Sequence, residues 1–115
     1  MSSSPKQKKN LPIFEVRLTK TAEEDLQELT VKTQARILEK IKILEITPFP
    51  TIKPIKKIKG SKKIPLFRLR IGNYRVIYYV KESTVFILII VNKREFEKEL
   101  RVLAKALNKH TIEEN

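Results

Sequence analysis

Phe67-Arg68-Leu69-Arg70-Ile71-Gly72-Asn73-Tyr74-Arg75 alternates apolar and basic side chains, breaks at a Gly-Asn pair and resumes with a further arginine. Alternation at a period of two marks a half-buried strand. Phe67 and Leu69 are therefore expected to face a core, with Arg68 and Arg70 together on the open face. Gly72-Asn73 supplies the left-handed backbone that a tight hairpin needs, which folds Arg75 back toward the other two. The stretch predicts a small sheet surface carrying several guanidiniums, a surface suited to a polyanion.

Outward from this hairpin, strands are predicted over 66–71, 74–80 and 84–91. The last contains Val85-Phe86-Ile87-Leu88-Ile89-Ile90-Val91, apolar on both faces and rich in β-branched side chains, and reads as a central strand covered on both sides. Asn92 followed by Glu95 marks a helix start, and Phe96, Leu100, Leu103 and Leu107 then recur on one helical face. Arg94 falls in the first turn of that helix. A cation there opposes the helix dipole, which an anion-binding site would explain.

Upstream, Phe14-Glu15-Val16-Arg17-Leu18 alternates as a strand with Phe14, Val16 and Leu18 inward. Thr21 and Glu24 have capping-box spacing at the start of a helix carrying Ala22, Leu26 and Leu29. A second helix over 31–46, N-capped by Thr30, presents Ala35, Leu38, Ile37, Ile41 and Leu44 as its apolar face. With almost no linker between them, the two helices form an antiparallel hairpin. Pro48, Pro50 and Pro54 end the second helix and keep the chain extended into the basic loop 56–63. The order β-α-α-β-β-β-α gives an α+β class with a twisted, mainly antiparallel sheet. At 115 residues the chain divides into a flexible basic tail (1–10), a single domain (11–107) and a polar C-terminal tail (108–115).

The net charge is +12, which favours nucleic acid, ribosome or an acidic protein as partner. The excess is local. Between Ile46 and Lys81 there is no acidic residue and there are ten basic ones, Lys53, Lys56, Lys57, Lys59, Lys62, Lys63, Arg68, Arg70, Arg75 and Lys81. Lys6, Lys8 and Lys9 of the tail add to it, whereas 11–45 and 82–115 are close to balanced.

Several chemistries are excluded by the inventory. There is no cysteine, the only histidine is His110 near the C-terminus, and there are two glycines. This leaves no thiolate chemistry, Ser/His/Asp triad, histidine pair for zinc or nucleotide-binding glycine loop, so neither a metal nor a cofactor is expected. No apolar run is long enough for a membrane span and no secretory signal precedes the domain, so a cytoplasmic protein is expected. Phosphate chemistry without a metal is what remains. Arg68, Arg70 and Arg75 can grip phosphate oxygens by bidentate hydrogen bonds, and RNA brings its own nucleophile, the 2′-hydroxyl.

The ordered set of elements resembles the RelE/ParE toxin superfamily over residues 13–105. The resemblance is carried by the helix hairpin, Lys57-Ile58-Lys59-Gly60, Phe67-Arg68-Leu69-Arg70, Tyr74-Arg75-Val76-Ile77-Tyr78 and Val91-Asn92-Lys93-Arg94-Glu95. It implies a toxin of a type II toxin–antitoxin system with a RelE-like fold. In the RelE branch the toxin cleaves mRNA in the ribosomal A site, and the positions that bind phosphate and stabilise the transition state match Arg68, Arg70, Arg75 and Arg94. Lys56, Lys57, Lys59, Lys62 and Lys63 would then hold ribosomal RNA, and the partners implied are the ribosome and an acidic cognate antitoxin. Well-studied bacterial members of the branch carry lysines where Arg68 and Arg70 stand, and many place a tyrosine or histidine where this chain has Leu100, with Phe96 nearby. Tyr79, on the same strand face as Arg75, is the auxiliary candidate for that role. The ParE branch, which poisons DNA gyrase, and a RelE-like fold that only binds RNA or a partner are the alternatives.

Overall fold

The computed structural model describes residues 13–59 and 63–114, with side chains through Leu107. The basic tail 1–10 and Lys62 lie outside the described residues. Strand β1 (Glu15–Leu18) leads into helices α1 (Lys20–Gln27) and α2 (Val31–Ile41), the latter continued by a 3-10 turn over Lys42–Glu45. Strands β2 (Ile55–Lys57), β3 (Phe67–Ile71), β4 (Tyr74–Lys81) and β5 (Thr84–Asn92) follow, and helix α3 (Phe96–Glu114) closes the chain. The five strands form one sheet in the order β1-β5-β4-β3-β2, antiparallel throughout except for the β1–β5 pair. This is the α+β class expected, with one additional strand.

The sheet has a core on each face. On one side α1 and α2 press Ala22, Leu26, Ile37, Ile41 and Leu44 against Phe67, Leu69, Ile71, Val76, Tyr78, Val85 and Ile87. On the other, α3 lays Phe96, Leu100, Leu103 and Leu107 over Ile58, Leu66, Ile77, Leu88 and Ile89. Tyr78 is fully buried. Its hydroxyl donates to the Pro48 carbonyl at 2.8 Å, tying the proline-rich strap to the sheet, and burial pushes its pKa well up. Tyr78→Phe would leave that carbonyl without its donor. A loss of roughly 1–3 kcal/mol is expected in urea denaturation, and an unchanged midpoint would show that the strap is held without this bond.

Several local expectations are corrected. The N-cap of α1 is Thr19, whose hydroxyl accepts from the Ala22 amide, rather than Thr21. Thr30 caps α2 as anticipated, accepting from Thr33. Only Ile37, Ile41 and Leu44 of the expected apolar face are buried; Ala35 and Leu38 face outward. Lys56 and Lys57 belong to an edge strand rather than a loop. Lysines on an edge strand also discourage pairing with a second chain. β5 is interior and covered on both faces, but β4 holds the middle of the sheet. Helix α3 begins at Phe96, later than the start at Asn92 that the capping spacing suggests, and runs to Glu114.

Where β1 stops, α1 takes over the edge of β5. Thr19 donates its amide to Ile87 O and its hydroxyl to Leu88 O, and Asp25 Oδ2 accepts the Ile90 amide at 3.0 Å. Asp25 pays for this contact in hydration: burial raises its pKa, opposed by the Ile90 hydrogen bond, with Glu28, Glu99 and Glu24 adding smaller upward pushes.

Candidate nucleic-acid interface

The β3–β4 register determines how the arginines meet. Arg70 lies directly opposite Arg75, and Arg68 opposite Ile77, so the three guanidinium-bearing positions share one face of the sheet. Lys56 opposes Arg68 from β2 and belongs to the same face, whereas Lys57 opposes Phe67. That face is not open along its whole length, as the alternation alone suggests, because α3 packs on it through the second core.

The cluster is held in three ways. Arg75 Nη1 donates to the carbonyls of Gly72 and Tyr74, each at 3.0 Å, which fixes its guanidinium against the hairpin turn. Arg68 is half-buried between β2 and β4, and its Nη1 is out of reach of solvent with no hydrogen-bond partner. Its pKa is depressed first by burial, then by the charge of Arg75, then by that of Arg70. Arg70 is exposed. None of the three has a carboxylate partner among the described residues; the ion pairs there are Arg17 with Glu15 and Lys42 with Glu39. Like charges packed around an unsatisfied buried donor are unfavourable alone and favourable around an anion.

Arg94 is brought to the same end of the sheet by a different route. It sits in the turn before α3, not in its first helical turn. Asn92 Oδ1 accepts the Arg94 amide at 2.9 Å, and the Lys93 amide donates to Asn73 O at 2.7 Å, stitching this turn to the β3–β4 hairpin. Arg94 is exposed, and its charge is not among those that depress Arg68. Lys59 and Lys63 are exposed on either side of the undescribed 60–62.

Tyr79 stacks on Phe86, with ring centroids 5.2 Å apart, and two strand positions separate it from Ile77, which itself lies between Tyr79 and Arg75. Leu100, at the position where the resemblance implies a proton-moving side chain, packs down onto the sheet together with Phe96.

One residue of this region was missed by the sequence reading. Arg36, on α2, lays its guanidinium over Gly72, so close that a Cβ on that glycine would meet Arg36 Nη2 at 3.0 Å. The missing signal is tertiary, since Arg36 reads as an ordinary helix surface residue. Gly72 itself has φ +57°. Gly72→Ala is therefore expected to cost about 1–2 kcal/mol from the left-handed backbone, with Arg36 displaced in addition, measured by urea denaturation. A stability equal to the parent's would mean that the turn can be rebuilt without the glycine.

A family model of the ParE toxin of the type II toxin–antitoxin system, parDE, matches residues 16–97. The chain belongs to the RelE/ParE toxin superfamily. It is a toxin of the type II toxin–antitoxin class. Among solved structures it is similar to the archaeal RelE–RelB complex from Pyrococcus horikoshii OT3, at 34% identity and a TM-score of 0.59, covering 70% of this chain and 94% of that one. The toxin–antitoxin complex RelBE2 from Mycobacterium tuberculosis matches at 28% identity and TM-score 0.57, covering 71% and 99%. The RelB–RelE complex from Methanococcus jannaschii matches at 25% and 0.57, covering 71% and 95%. No curated protein matches the sequence at a significant level. In this RelE-like frame the arginine face is the surface between the β3–β4 hairpin and α3. Among the described residues, no helix is long and apolar enough to cross a membrane.

Proposed function

We propose that this toxin is a ribosome-dependent mRNA endonuclease that cleaves within the A site by metal-independent attack of the 2′-hydroxyl. The observation that carries the reading is Arg68 Nη1, a buried donor without a partner, next to Arg70 and Arg75 on one face. A phosphate bound between them, with the Arg68 guanidinium swung out to meet it, would give that donor a partner and offset the repulsion from Arg75 and Arg70 that, after burial, depresses the Arg68 pKa.

In the reaction the ribose 2′-oxygen forms a bond to the adjacent phosphorus and the bond to the 5′-oxygen breaks, leaving a cyclic phosphate and a 5′-hydroxyl. Negative charge builds on the non-bridging oxygens at the midpoint, where fixed guanidiniums stabilise it most. Arg75, already oriented by two carbonyls, needs little reorganisation to serve there. Arginine is no general base at neutral pH. The proton leaving the 2′-hydroxyl and the one gained by the 5′-oxygen are therefore exchanged with nucleotide, ribosomal RNA or water. Arg94 approaches from the turn beside the hairpin, and Lys56, Lys57, Lys59, Lys62 and Lys63 bind ribosomal RNA, with affinity that falls steeply as salt rises. An acidic cognate antitoxin is the natural inhibitor of such a basic face, and the relatives solved as RelB–RelE complexes support such a partner.

The ParE family model favours a second reading, inhibition of DNA gyrase. Translation in vitro with primer extension on the mRNA separates the two. Cuts within A-site codons support the endonuclease; intact mRNA, with supercoiling by gyrase blocked, would establish the second reading instead.

A further inference from the structure

We propose that Arg36 forms a second phosphate-binding site, taking the RNA backbone as it leaves the Arg68/Arg70/Arg75 cluster and passes over the Gly72 turn onto helix α2. The inference rests on the RNA reading of that cluster and extends it to the opposite face of the hairpin.

The Gly72 peptide is flanked by two guanidiniums. Arg75 holds its carbonyl from the strand at 3.0 Å. Arg36 lies against its Cα side, at 3.0–3.3 Å from the place a Cβ would occupy. A single residue therefore separates the clustered arginines from Arg36. Arg36 is exposed and has no carboxylate partner among the described residues. The acid one helical turn away, Glu39, pairs instead with Lys42 at 3.6 Å. Arg36 thus reaches away from its own helix's acid to rest on the turn, with its donors free to face solvent.

The surroundings continue the charge. Arg36 and Arg70 line one groove of about 660 Å³ together with Lys40 and Lys42, and Glu39 is the only acid in its lining. Arg70 belongs both to this groove and to the arginine face, so the two adjoin at the β3 end of the turn. A polyanion whose charges repeat along a flexible chain matches such a track, with one phosphate at the cluster and a neighbouring one at Arg36. The groove also has an apolar floor of Ile43, Ile46 and Ile52, which an acidic protein segment could use, and that outcome is separated below.

The test measures binding of a short single-stranded oligouridylate across a salt series for the parent chain and for Arg36→Gln, Arg36→Lys, Arg68→Gln and Arg17→Gln. Arg17 pairs with Glu15 on β1, and its variant controls for net charge. Arg36→Gln is expected to bind about tenfold more weakly at low salt. The slope of log affinity against log salt should drop by about 0.7, the single-strand value for one phosphate contact. Arg36→Lys should restore most of the affinity, and Arg17→Gln should match the parent. If Arg68→Gln weakens binding while Arg36→Gln leaves affinity and slope unchanged, the second site is overturned and the groove is left to an acidic protein partner, with the cluster reading intact. If neither variant matters, or the parent does not bind, the second site is overturned, while the ribosome-dependent reading is decided separately by primer extension on translated mRNA. Equal losses in Arg36→Gln and Arg17→Gln would also overturn the site, because net charge alone would explain them.

Discussion

Arg75→Ala is expected to lower A-site mRNA cleavage by about 10²–10³-fold, the scale of removing one preorganised donor from a developing oxyanion. The loss should be nearly pure in function. Arg75 is the larger of the two neighbouring charges that depress the Arg68 pKa, so its removal relieves repulsion. What the fold forgoes is two hydrogen bonds to carbonyls at the edge of the hairpin, at 3.0 Å each. Arg75→Lys should recover little, because a lysine keeps the charge but cannot hold two carbonyls and a phosphate with one planar fork. In vitro translation followed by primer extension reads the effect directly. Undiminished cleavage by Arg75→Ala would remove the cluster from the reaction.

Ile77→Ala is expected to destabilise the protein by about 2–5 kcal/mol, the range for emptying a buried aliphatic site. Ile77 is fully buried, sits opposite Arg68 in the β3–β4 register and supports the core beneath α3. Against a total stability of about 5–15 kcal/mol for a domain of this size, that loss is a large fraction. Urea denaturation with an unchanged m-value would report it. A cost below about 1 kcal/mol would mean that the core under α3 collapses onto the cavity. The same variant bears on the site, since Ile77 lies directly opposite Arg68 in the β3–β4 register.

The sequence is most informative where periodicity is strict. The β3–β4 hairpin could be read from Phe67–Arg75 because period-two alternation and Gly72-Asn73 point to one structure. The register then brings Arg68, Arg70 and Arg75 together as expected. The face of α3 was equally readable from Phe96, Leu100, Leu103 and Leu107. Features decided by contacts between distant segments were not. β2 has three residues, two of them lysines, and is a strand only because β3 offers an edge. Thr19 and Thr21 are both competent caps, and the bonds of Thr19 to β5 select it. Arg94 was shifted out of α3 because Asn92 and Asn73 capture the intervening turn. Arg36 could not be found at all, since nothing in its local sequence says which loop the helix will face.

The pairing of β1 with β5 sets an order of events during synthesis. Glu15 meets Thr84 and Leu18 meets Ile87 in parallel, so β1 must wait for β5, the last strand of the sheet to be made. Contacts that distant close large loops and form late. The arginine hairpin needs only neighbouring residues and can form as soon as it leaves the ribosome. Its supports cannot, because α3 and β5 are made last. A nascent chain of this toxin therefore carries its basic hairpin before it has the sheet that holds it, and the site is finished only once β5 and α3 have both been made.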